Sequence, residues 1–235
     1  MSEKTSERRV ETMTQVNPAE LESPDSIPLF REGEEGKEVD YYWVRGKTAV
    51  DAVKRLRHDT YLQCGFIDSP YPDGVIPDKA DNDAAVYLAA VVNNEVIGGI
   101  RLAAPPFKVL DVVGDELYED VRDRIKEMEN NPAKNKAVEL GSLAVKSGTG
   151  YKHISGSLYK AVYRVSLMEG IKYWLIDIDE RVYNALLRLG WKVDEIGPRH
   201  EYMGSVTVPG LMSVQEQTES IRDRNPEYYS YLKKI

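Results

Sequence analysis

AVELGSLAVKSGTGYKHISGSLYKAVYRVSLMEG, residues 137–170, carries two periodicities in succession. Its first nine residues are β-rich and alternate, so Ala137, Glu139, Gly141, Leu143 and Val145 share one strand face. A Ser/Gly/Lys loop follows. Leu158, Ala161, Val162, Val165 and Met168 then recur at helical spacing and predict a helix over about 155–169, stopped by Gly170. The middle of the chain is therefore a strand–loop–helix unit. Its loop is of the kind whose backbone N–H groups, with a helix N-terminus, favour phosphate.

Upstream, VDYYWVR at 39–45 reads as a strand, and Thr48 is placed to cap a helix through Val50, Val53, Leu56 and Tyr61. Residues 65–83 are loop by composition. AAVYLAAVV, Asn93-Asn94 and VIGGIRLA make a β-hairpin, and Leu117, Val121, Ile125 and Met128 mark a helix ending before Pro132. Downstream come the strand IKYWLIDI, a short helix from Arg181 to Leu189, WKVDEI, a strand near 202–208, and polar helices broken at Pro226. Hairpins alternate with helical crossovers. The expected class is therefore α/β (α+β), with a mixed sheet of about seven strands.

The chain has 235 residues, 31 Lys plus Arg and 39 Asp plus Glu. Residues 1–40 hold eleven acids and five bases, a balance of −6, and the remainder only −2. Residues 1–38 read as a disordered acidic segment, 39–211 as the folded domain and 212–235 as a helical extension. A bulk basic field for nucleic acid is absent. The longest apolar run is the nine residues 84–92, short of the roughly 18 to 20 that span a bilayer, and no secretory h-region is visible. One cysteine, Cys64, and three scattered histidines give no disulfide and no metal-ligand spacing. A cytoplasmic, metal-free protein is expected.

Several residues carry chemistry. Glu139 shares its face with Leu143 and Val145, so it is either an edge glutamate or a carboxylate in a cleft; Gly141 marks a bulge or a close ligand approach. Arg101 follows Gly98-Gly99, which leave room for another backbone or a ligand; it either forks onto an anion or pairs with a nearby Asp. Asp78 and Asp81 are turn formers or partners for Arg57 and Arg101. Between Glu139 and Glu169 there is no acid, while Lys146, Lys152, Lys160 and Arg164 supply a local +4. That is either a solvated face or a site for an anion or acidic partner. Lys160 and Arg164, four apart beside the apolar stripe, are expected to reach solvent. No Walker A loop, GxSxG elbow, HExxH or CxxC occurs.

LRHDTYLQCGF (56–66), YPDG (71–74), the Asp78/Asp81 pair, VIGGIRL (96–102), ELGSLAV (139–145) and LGWKVDEIGPRHEYMG (189–204) stand in an order that resembles one branch of the GNAT-fold enzymes. That branch contains the acyl-homoserine-lactone synthases and the long-chain N-acyl amino acid synthases. The resemblance covers roughly residues 40–215. It implies a three-layer GNAT-like fold with helices on both sheet faces, and Glu139 as the catalytic carboxylate. It also implies an acceptor-side charged network of Arg57, Asp78, Asp81 and Arg101. Ser142, Leu143, Ala144, Val145 and Lys146 fall on the donor side, the last three along a splayed strand beside the donor's pantetheine arm. Lys152, Lys160 and Arg164 complete the donor-binding set. Many relatives carry Arg three residues after the glutamate; this chain has Ser142.

The implied reaction is transfer of a fatty-acyl group from acyl carrier protein or acyl coenzyme A to the amine of a small amino-acid-like acceptor, with no bound cofactor. A carboxylate in a partly apolar cleft, its pKa raised by desolvation, suits removal of the amine proton. Two alternatives stand beside it: a lactone synthase using S-adenosylmethionine as acceptor, and a degenerate GNAT domain serving as a binding module.

Overall fold

In the computed structural model, residues 14–16, 21, 26–34, 36–78, 80, 81, 85–151 and 153–234 are described. They form nine strands and eight helices, interleaved along the chain into two compact units. The chain passes between units three times within elements: after Arg101, after Gly141 and after Ala161.

The first unit contains β1 (Ser26–Glu34), β2 (Lys37–Val44), β3 (Val86–Val92) and nearly all of β4 (Glu95–Ala103), neighbours in that order. β1 and β3 both run antiparallel to β2. Asn93 and Asn94 take positive φ of 48° and 64°, the two-residue turn expected of this hairpin. α1 (Lys47–Gln63) buries Ala49, Ala52, Val53, Leu56 and Arg57. Its N-cap is Gly46, with no side-chain cap, so Thr48 lies inside the first turn rather than capping it. The space left by Gly98 and Gly99 is filled by side chains. A Cβ on Gly98 would lie 2.6 Å from Ile154 Cγ2 and 3.3 Å from Leu158 Cδ1, and one on Gly99 2.5 Å from Val53 Cγ1. The glycine pair thus seats helices against β4.

β1 is a correction. Residues 26–34 fall in the segment expected to be disordered, yet they pair with β2 along their length. Phe30 stacks on Tyr41 with ring centroids 4.7 Å apart, which a reading of net charge and proline content misses. Residues 1–13 lie outside the described ones.

The second unit holds the start of β5 (Ala137–Val145), then β6 (Tyr173–Asp179), β9 (Ser205–Ser213) and β7 (Asp194–Glu195) in sheet order, with β8 (His200–Tyr202) on β9. β5 is parallel to β6, and β9 antiparallel to it, so the sheet is mixed as expected. Nine strands replace about seven because β1 exists and the region after residue 193 divides into three. α2 (Lys108–Val112), a 3-10 turn (Gly114–Glu116), α3 (Glu119–Asn130) and α4 (Pro132–Asn135) follow β4. Phe107, Val109, Val113, Leu117, Ile125 and Met128 pack on Leu175 and Leu211.

α5 (Ile154–Glu169) begins in the first unit and ends in the second. Leu158, Ala161, Val162 and Val165 are buried as the stripe predicts, but Met168 is exposed. In the second unit Trp174 Nε1 donates to Ser166 Oγ at 2.8 Å, and Trp174 and Trp191 lie 5.4 Å apart. α6 (Glu180–Arg188), α7 (Val214–Arg224) and α8 (Pro226–Lys233) complete the chain. Gln217 and Ile221 are fully buried, so the helical extension packs as part of this unit.

Candidate active site

Glu139 is held on β5 by strand geometry and burial. It is 4 % exposed, and its Oε2 accepts the backbone N–H of Val109, the second residue of α2, at 2.9 Å. The register fixes what stands beside it. Glu139 is opposite Leu175 on β6, and Leu175 opposite Leu211 on β9, so the carboxylate borders an apolar cluster. Pairing of β5 with β6 runs from Ala137 to Leu140. Two residues later Ser142 takes a positive φ of 59°, costly for a non-glycine residue inside a strand.

The same face carries Asp177, two residues beyond Leu175, then Thr207 on β9 and His200 on β8. His200 Nε2 lies 3.3 Å from Asp177 Oδ2 and 3.1 Å from Thr207 Oγ1. Burial lifts the Asp177 carboxyl above the usual carboxylate range; His200, Thr207 and Lys108 pull it back without cancelling that rise. Lys108, adjacent to Val109, donates from Nζ to Asp78 Oδ2 at 3.1 Å and lies 5.2 Å from the centroid of the Tyr202 ring. Burial opposes its charge, yet Tyr202 and Asp78 outweigh it and hold the ammonium pKa above its ordinary value. Asp78 Oδ1 also accepts the N–H of Ala80, which shapes the loop.

In the first unit Arg57, 2 % exposed, donates from Nη1 to Ser142 Oγ at 2.7 Å and from Nη2 to the Ile76 carbonyl at 2.7 Å. Arg57 and Ser142, expected on acceptor and donor sides, are thus in direct contact. Arg101 is equally buried at the end of β4. Leu143 and Val145 are half-buried and Ala144 fully buried, and Lys146 Nζ pairs with Glu95. Asp81 closes a turn through its N–H to the Asp78 carbonyl.

Two donor-side expectations change. Lys160 does not reach solvent. It is 2 % exposed, donates to Glu32 Oε1 at 2.5 Å and lies 4.8 Å from the Phe30 ring centroid, because β1 covers that side of α5. Arg164 is half-buried. Lys152 lies outside the described residues. The +4 stretch is therefore not a single solvated face.

Sequence reasoning missed Lys108, Asp177, His200 and Tyr202. The alternation in LIDID places Leu175, Asp177 and Asp179 together, which was a usable signal. Nothing in the sequence, however, states the register that sets them beside Glu139. Among the described residues no group of three or more His, Cys, Asp or Glu is placed to hold a metal ion, and no helix is long and apolar enough to cross a membrane.

The family model for the N-acyl amino acid synthase FeeM matches residues 52–212. The structure of FeeM itself, from uncultured soil microbes, is similar with a TM-score of 0.58 at 15 % identity, covering 79 % of this chain and 96 % of that one. MesI, a CoA-dependent acyl-homoserine lactone synthase, gives 0.57 at 17 % identity over 77 % and 88 %. BjaI, another CoA-dependent lactone synthase, solved with S-adenosylmethionine and isopentyl-CoA, gives 0.55 at 20 % over 73 % and 79 %. At these identities the likeness shows the fold, the GNAT-like arrangement expected from the motif order.

Proposed function

Because the chain belongs to the N-acyl amino acid synthase family, we propose that it joins a fatty-acyl group to the amine of a small amino-acid-like acceptor, with Glu139 as the base. That membership makes the chain an N-acyltransferase and sets aside the binding-module alternative. The observation that carries the residue assignment is the Glu139 carboxylate, 4 % exposed, oriented by the Val109 N–H and bordered by Leu175 and Leu211.

The chemistry follows from that setting. The acceptor amine gives up a proton to Glu139 and attacks the thioester carbonyl. Backbone N–H groups where β5 leaves β6 stabilise the oxyanion, and the thiolate departs on its own low pKa. No covalent enzyme intermediate is needed. Of the residues expected on the acceptor side, Arg57 holds Ser142 where the strand turns, and Asp78 accepts from Lys108. Residues 142–146 face the donor arm. The donor is a fatty-acyl thioester on acyl carrier protein or coenzyme A; the isopentyl-CoA complex of BjaI supports the latter class.

The test is incubation of the protein with acyl carrier protein or coenzyme A thioesters and either an amino-acid mixture or S-adenosylmethionine, read by mass spectrometry. Stoichiometric free thiol and N-acyl amino acid are expected. Methylthioadenosine with an acyl lactone would make the protein a lactone synthase instead.

A further inference from the structure

LRHDTY at 56–61 and YPDG at 71–74 meet in the structure. Tyr71, Pro72, Asp73 and Gly74 form a turn, closed by the Gly74 N–H on the Tyr71 carbonyl at 2.9 Å. α1 grips that turn and its exit at three points. His58 Nε2 accepts the Tyr71 N–H at 3.1 Å. Arg55 Nη1 donates to the Asp73 carbonyl at 3.3 Å, and Arg57 Nη2 to the Ile76 carbonyl at 2.7 Å. All of these residues belong to the first unit. Tyr71 stands between Pro70 and Pro72, so its N–H is the sole backbone donor across those three residues.

The contact with Tyr71 fixes the tautomer of His58. A backbone N–H can only donate, so Nε2 is the bare ring nitrogen. The hydrogen of the neutral ring is then on Nδ1, which lies 2.8 Å from Asp59 Oδ1. The three grips differ in kind. The two guanidinium groups stay charged and go on donating at any working pH. An imidazole gains a second proton in acid, and here that proton would sit on Nε2, facing the Tyr71 N–H. The Nδ1 contact to Asp59 persists in both charge states, so the change is confined to the Tyr71 side. His58 is 4 % exposed, so water does not readily take over the lost bond. The titratable and charged groups set against the ring are Asp59 from α1 and Tyr71, whose ring lies edge-on at 6.3 Å. Arg57, next to it in sequence, is engaged by Ile76 and Ser142.

We propose that His58 is a positioning residue, a pH-sensitive latch on residues 71–76 that sets how tightly the acceptor amine is bound. Its consequence for binding rests on the acyl-transfer reading above. The segment is joined to the acceptor side twice. Arg57, which holds the Ile76 carbonyl, also holds Ser142 Oγ at 2.7 Å, three residues along β5 from Glu139. The segment then runs through Pro77 directly into Asp78, expected in the same charged network. When the Tyr71 bond is lost, the turn keeps only its arginine contacts, at its third residue and its exit. Its first half loosens, the acceptor is held less tightly, and the chemistry at Glu139 is untouched.

The experiment compares wild type with His58→Gln. A glutamine accepts from Tyr71 through its oxygen and donates to Asp59 through its nitrogen, and it does not titrate. Amide formation is followed with lauroyl thioesters of coenzyme A and acyl carrier protein, the standard amino acids being titrated together as acceptor. The ratio of the two proteins' acceptor KM cancels titration of the acceptor amines and of Glu139. That ratio, wild type over variant, is expected near one at about pH 8 and about fivefold or more at about pH 5.5, with kcat within about twofold throughout. A flat ratio, or a pH effect on kcat alone, overturns the latch. Two measurements on wild type need no variant, should His58→Gln not fold. Nitrogen-15 NMR of the ring is expected to place its hydrogen on Nδ1 at high pH; a hydrogen on Nε2 overturns the latch. The amide protection factor of Tyr71 is expected to fall about tenfold as the His58 ring titrates, while β3 amides hold theirs. Constant protection of Tyr71 through that titration overturns the latch as well. No amide from wild type at any pH would overturn the acyl-transfer reading instead, and the ring and amide measurements would still decide the latch.

Discussion

The role of base proposed for Glu139 sets two requirements: it has to be dry enough to hold a proton and fixed enough to reach the amine. The Val109 N–H supplies the second and the Leu175–Leu211 surface the first. Glu139→Gln keeps size and hydrogen bonding, so it should fold normally and lose on the order of 10² to 10⁴ in kcat. Asp177 gives an independent check on the electrostatics. An unfolded Asp titrates near about 4, and burial raises Asp177 above that. Its contribution to stability is then fully present below about pH 4 and is lost as pH rises through the raised value. The melting temperature of Asp177→Asn should therefore gain on wild type between pH 4 and pH 7; a variant that instead loses ground to wild type over that range would mean the His200 ion pair dominates. Strand alternation placed Glu139 on the face of Leu143 and Val145 and left it either an edge glutamate or a cleft carboxylate; the structure buries it. The meeting of Asp177 and His200 was not legible, because it depends on which strands are neighbours and in what register.

Strands and helices were legible where one face is apolar and the other polar. β5 matched to the residue, and α5 within one, because their periodicities are clean. β1 and the burial of Lys160 were missed together, and for one reason. β1 is the cover over α5 on that side, so reading it as disordered left Lys160 apparently exposed. Removing Glu32 leaves a buried ammonium without its carboxylate. Glu32→Ala should lower unfolding free energy by about 3 kcal/mol or more in denaturant titrations, and Lys160→Met added to it should recover most of that. Gly98-Gly99 was read as room for another backbone or a ligand; the structure gives that room to the side chains of Ile154, Leu158 and Val53. Gly99→Ala should cost about 1–3 kcal/mol, and pairing it with Val53→Ala should be less destabilising than the sum of the two changes. Additivity would show that the contact is slack.

For the molecule as a whole, order of motifs carried more than any motif did. Six short segments, each weak, placed the chain among acyltransferases, and the family match over residues 52–212 agrees. Net charge carried less: the −6 of residues 1–40 concealed a strand, and two of the four positive charges of 140–168, Lys146 and Lys160, pair with Glu95 and Glu32. Charge counts add residues without knowing which ones face each other. Membership fixes the reaction class. The most direct measurement is amide formation from a fatty-acyl thioester and an amino-acid acceptor, followed by mass spectrometry in wild type and Glu139→Gln side by side. Wild type should yield N-acyl amino acid equal to the thiol released, and Glu139→Gln at most about one hundredth of that rate. Equal rates in the two proteins, or thiol release without amide, would contradict the assignment of Glu139 as the base of an N-acyl transfer.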